Sequence, residues 1–158
     1  MSTLPTQLFS MPSALRELLI EWAPLRDVDV VTGPRASTAL EGIAISARES
    51  DVVAQHFDAL TDEGSLIVIA DAARPGSGEE AIEAARARVV ELLSEVVSAV
   101  SQAAGGDPTA DGSVLWSGAP YHFGEEANAQ TTIGASGAHY YAASVTIGYG
   151  ARIILEES

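Results

Sequence analysis

One segment constrains this chain more than any other. From Glu79 to about Ala103 the apolar residues recur at helical spacing, predicting a single helix of about 25 residues and roughly 37 Å. Ile82, Ala85, Val89, Leu92, Val96 and Val100 form a continuous stripe, and Leu93 and Val97 widen it. Ser77 with Glu80 matches a capping box, and Glu79, Glu80 and Glu83 put negative charge at the positive end of the helix dipole. Gly105, Gly106 and Pro108 stop the run. A stripe that long must be covered, and the rest of the sequence supplies strands to do it.

The strongest strand lies at the end. From Tyr141 to Ile153 the odd positions are apolar, while Ser144, Thr146 and Arg152 fall on the other face. Shorter strands are expected at 28–32, at 42–47, at 65–71 (the β-branched run SLIVIAD) and at 114–116. Leu15, Leu18, Leu19 and Trp22 define a short amphipathic helix over 12–23, ended by Pro24. Residues 1–11 read as a flexible arm before a single domain over 12–155. Residues 48–64 read as a loop with a possible short helix, because Val52, Val53, His56, Phe57 and Leu60 have helical spacing. The 118–139 connection is unusually long for a compact domain; it reads as a long loop or a hairpin with 130–133 as one arm, ordered against a neighbouring molecule.

Composition narrows the chemistry. The 158 residues include 22 acidic and 8 basic ones, a net charge of −14, with every basic residue an Arg and no Cys. Without Lys there is no Walker-type loop or Schiff-base chemistry, and without Cys no thiol nucleophile, zinc–thiolate site or disulfide. So acidic a surface repels nucleic acid, whose binding needs cations to displace counterions. No basic, apolar leader opens the sequence and no run approaches the about 18 apolar residues of a membrane span, so a soluble protein made in a cytoplasm is expected.

Catalytic constellations are poor. His56, His122 and His139 are the only imidazoles; His122 with Glu125 and Glu126 reads as a solvated turn before it reads as a metal site. Ser50, Asp51 and His56 lack the elbow that a hydrolase nucleophile needs. The Arg74-Pro75-Gly76-Ser77-Gly78 turn precedes a helix, yet Glu79 and Glu80 already occupy the anion position. The pairs Asp62-Glu63, Glu125-Glu126 and Glu156-Glu157 read as solvated turns or termini. No catalytic, metal or cofactor residue is assigned, and no enzyme activity is expected. Trp116, Tyr121, Tyr140 and Tyr141 divide between core and interface roles.

The order of elements carries a resemblance. DVDVVTGP, SLIVIADA, a Gly/Ser turn, EEAIEAARARVVELLSEVVSAV, a G-G-D-P break, SVLWSG and a last strand ending GARIIL together resemble the small tail-terminator and neck (head-to-tail joining) proteins of long-tailed phages infecting actinobacteria, over about residues 13–154. SLIVIADA departs from that pattern in lacking aromatics, which leaves terminator and adjacent stopper or connector both open. The resemblance implies an α+β domain, with an antiparallel or mixed sheet of about four to six strands against the long helix and the short N-terminal one. It also implies a homo-oligomeric ring, commonly a hexamer, that caps the major tail-tube protein, meets the head connector in the virion neck and lets genomic DNA through its lumen. On that reading Tyr121, Phe123, Tyr140 and Phe57 are candidate subunit or tube contacts, and Asp58, Asp62, Glu63, Glu125 and Glu126 candidate acids of a lumen or loop. The rival class is an acidic DNA-mimic inhibitor, which would need its carboxylates along one face.

Overall fold

The computed structural model describes residues 6–34, 40–56, 59–76, 78–104, 114–126, 131–133 and 138–154. In chain order these form α1 (Met11–Glu21), a 3₁₀ turn (Ala23–Leu25), β1 (Asp29–Thr32), β2 (Glu41–His56), β3 (Ala59–Arg74), α2 (Gly78–Ala103), β4 (Val114–Trp116), β5 (His122–Glu125), β6 (Thr131–Ile133) and β7 (Ala138–Ile154).

The sheet is mixed and runs β1-β2-β3-β7. On the far side of β7, β4 pairs with 149–151, β5 with 143–146 and β6 with 138–140. The three short strands thus share one lateral position. Only β1 against β2 is parallel; every other pairing is antiparallel. This is the expected α+β arrangement, a curled mixed sheet under one long and one short helix.

The strands alternate as the core demands. Leu66, Val68, Ala70 and Ala72 of β3 and Val145, Ile147 and Tyr149 of β7 are buried at every second position. The helix answers with Ala81, Ala85, Val89, Leu92, Leu93, Val96, Ala99 and Val100. Ile82, expected in that stripe, is half-buried, and Ala81 takes the inward position. The expected cap residue Ser77 lies outside the described residues, as does the 105–113 segment that holds the Gly-Gly-Asp-Pro stop. Short α1 buries Met11, Leu15 and Leu19, and its exit is tied to α2 where the Trp22 indole N–H donates to Glu95 Oε2 at 2.7 Å. At the other end of α2, Glu41 accepts from Arg74 at 3.2 Å and from Arg88, joining the start of β2 to β3 and the helix.

The largest departure from the sequence reading is at 48–64. Among the described residues no helix forms there: β2 continues to His56 and β3 begins at Ala59, in one unbroken register from Glu49↔Ser65 to Ala54↔Leu60. The helical spacing of Val52, Val53 and Leu60 is overridden because β3 is the central strand of the hairpin and pairs with β7 along its whole length, from Ala59↔Ile154 to Arg74↔His139. Register shifts at Ala47/Glu49 and Ala54/His56 mark the irregularities in β2. Within the 118–139 connection β5 and β6 both pair with β7, so 131–133 of the expected 130–133 arm is a strand of the chain's own sheet, while Gln130 lies outside the described residues. Within residues 6–11, part of the expected arm, Leu8 and Met11 are buried while Phe9 and Ser10 are exposed.

Candidate functional site

Three features stand out on the sheet and along α2. The first is a buried acid. Asp62 lies on the helix-side face of β3 with no exposed surface. Its Oδ2 accepts from the Gln7 backbone N–H at 2.7 Å, from Thr6 Oγ1 at 2.9 Å and from the Tyr149 hydroxyl at 3.1 Å. Among the described residues its Oδ1 has no partner. Tyr149 stands directly opposite Gly64, and a Cβ built on Gly64 would lie 2.5 Å from the ring. Burial pushes the Tyr149 phenol up to about 12; the Asp62 carboxylate adds to the rise, and the Thr6 and Ser50 hydroxyls oppose it.

A raised phenol is a statement about alkaline stability. An exposed tyrosine in the unfolded chain ionises near pH 10, whereas Tyr149 stays neutral in the fold, so its contribution is complete below about pH 10 and is lost as pH climbs to about 12. Thermal melts from pH 9 to 12 should show the wild-type midpoint falling across that window. The Tyr149→Phe variant, measured the same way, should fall less steeply; equal slopes would refute the assignment.

The second feature is the opposite face of the same hairpin. Asp51 and Glu63 are direct cross-strand partners, an arrangement in which like charges repel. With Val53 and Thr61 they line a recess of about 250 Å³, and Arg152 stands opposite Thr61 in register. The third feature is an apolar groove of about 510 Å³ between α2 and the β5/β7 side of the sheet, walled by Val90, Leu93, Val97, Phe123, Tyr141 and Ala143. At its rim the Tyr141 hydroxyl donates to Glu125 Oε2 at 2.6 Å, and the Arg86 guanidinium lies 5.2 Å from the Tyr141 ring centre.

These positions sort the sequence candidates. Phe123 is 62% exposed on the groove, and Glu125, on the same short strand, is held by Tyr141. Tyr121 is half-buried, with its hydroxyl 2.9 Å from Ser101 Oγ. Tyr140 is half-buried on β7, in register with Ala73. Glu126 follows β5, and its N–H donates to Ala142 O at 3.2 Å. Glu63 is exposed, as a lumen acid would need to be, but Asp62 is not: neighbouring residues of a strand face opposite ways, and Asp62 faces in. Reading Asp62-Glu63 as a solvated turn fails for the same reason, and Glu125 likewise belongs to a strand. Phe57 and Asp58 lie outside the described residues. Among the described residues no three His, Asp or Glu side chains gather as metal ligands.

Sequence reasoning missed Val90, 56% exposed on the groove, because it lies just beside the core stripe. It also missed the sheet's open edges. β1 covers β2 only from Gly42 to Ile45, so among the described residues no strand lies outside 46–54, where Val53 is 60% exposed. Across the sheet, β4 has no strand beyond it among the described residues, and Leu115 is 43% exposed. The two edges are level: Asp51, Glu63, Gly150 and Leu115 form one row.

No protein-family model matches the chain, and no curated protein matches it in sequence. Among the described residues no helix is long and apolar enough to cross a membrane.

Proposed function

We propose that this chain is a ring-forming structural protein of the head-proximal end of a phage tail, which stops tube growth and joins the tail to the head connector. The observation that carries the reading is the pair of open edges, β2 over 46–54 and β4, level with each other on opposite sides of one sheet. Unpaired edges are templates for another strand. When the two partners in a contact are different surfaces of one molecule, repetition closes a ring if the rotation allows. The element order that resembles tail-terminator and neck proteins supplies the biological setting, and a charge of −14 suits a channel that DNA must pass without sticking.

Copies this acidic repel one another, so assembly depends on screening. The Debye length falls from about 30 Å at 0.01 M salt to about 8 Å at 0.15 M. Light scattering on the purified protein should therefore show its mass rising with salt or Mg²⁺, and binding to added tail tubes. A chain that stays monomeric across the series and ignores tubes would overturn the reading.

A further inference from the structure

Among the described residues, 6–8 are fastened to the sheet by few polar groups. Leu8 is buried, but Phe9 beside it is 69% exposed. Among the described residues, the hydrogen bonds from 6–8 to the strands end on two side chains. Thr6 Oγ1 lies 3.0 Å from Ser50 Oγ and donates to Asp62 at 2.9 Å, and the Gln7 N–H donates to Asp62 at 2.7 Å. Asp62 is therefore the common anchor. Its carboxylate is fully buried, is shared with the Tyr149 hydroxyl and, among the described residues, leaves Oδ1 without a partner. A segment held chiefly through one buried acceptor should come free as a unit when that group is lost.

We propose that Asp62 is a latch: it holds residues 6–8 on the β2–β3–β7 face, and this segment opens on its own, ahead of the core under α2. Opening uncovers Asp62, Ser50 and the Tyr149 hydroxyl as hydrogen-bonding groups on the helix-side face. Ser50 belongs to the stretch of β2 whose outer edge is open, so the latch and the edge offered to a neighbouring copy share a residue. Only that use in assembly rests on the ring reading; the latch itself does not.

Amide hydrogen exchange on the full chain, kept dilute and at low salt so that it is monomeric, tests this with wild type, Asp62→Asn and Thr6→Val. In Asp62→Asn the Gln7 and Leu8 amides should exchange about tenfold faster, as expected when a buried hydrogen bond is weakened or lost. In Thr6→Val, which leaves the strands untouched, the readout is the Gln7 amide, which should exchange a few-fold faster, because the Leu8 N–H donates to Thr6 Oγ1 at 3.1 Å and loses its own partner in that variant. The Leu92 and Val96 amides of α2 should keep their wild-type rates in both. The latch is overturned if Gln7 and Leu8 are unchanged, or if they quicken only in step with Leu92 and Val96. Should Asp62→Asn fail to fold, Thr6→Val decides alone. A wild-type chain that never assembles would end the ring reading and leave these rates as they are; unchanged rates in a chain that does assemble would end the latch.

Discussion

Replacing Gly64 with alanine should cost about 2–3 kcal/mol, which lowers the unfolding midpoint of a domain this size by roughly 5–10 °C. The new Cβ would sit 2.5 Å from Tyr149 Cε1 and 2.6 Å from both Cζ and the hydroxyl oxygen. A side-chain tip on the surface would swing aside at little cost. Tyr149 cannot, because it is buried to within 1% of its surface and its hydroxyl is bonded to Asp62. Either the ring gives up that bond and its packing, or β3 and β7 separate at their Gly64↔Tyr149 pair. Covering a strand glycine with an aromatic from the neighbouring strand is a known way of stabilising a sheet, and here the absence of a side chain makes room for the ring. A double-mutant cycle isolates the effect: Gly64→Ala should be costly in wild type and nearly free in a Tyr149→Ala background. An equal cost in both backgrounds, measured by denaturant unfolding, would show that the contact is not the cause.

The same pair shows what could be read from residues alone. Tyr149 was legible as an inward position, since the alternation from 141 to 153 needs only a period of two. Gly64 was not, because nothing in TDEGSL says which strand will lie beside it. The long helix was legible for the same reason as β7: its periodicity is sustained over enough turns that no neighbour can override it. Residues 48–56 lacked that length. Their spacing fitted a short helix, and the choice fell to pairing with β3, which sequence periodicity does not report. Asp62 and Glu63 make the point for the site. Adjacent acids look alike in a sequence, yet one is an internal anchor and the other faces solvent, and only the register of β3 against β7 separates them.

Register also makes the ring testable in a way that scattering alone is not. Val53→Arg on the β2 edge and Leu115→Arg on the β4 edge should each leave the monomer's stability within about 0.5 kcal/mol, since both side chains are substantially exposed. Each should weaken assembly about 100-fold, or about 3 kcal/mol, because a charged side chain on an edge strand must be desolvated when a neighbouring strand pairs there. Arginine is the informative choice: it moves the net charge from −14 to −13, easing repulsion between copies, so lost assembly could not be blamed on added like charge. Mixing the two variants then separates head-to-tail closure from a two-fold dimer. If β2 of one copy meets β4 of the next, the mixture contains one intact pairing, between β4 of the Val53→Arg chain and β2 of the Leu115→Arg chain. Heterodimers form and growth stops there, because the remaining two edges both carry the arginine. If instead β2 meets β2, the Leu115→Arg chain dimerises unaided and mixing adds nothing. Native mass spectrometry reads these outcomes directly, and rings from either single variant would remove both edges from the interface.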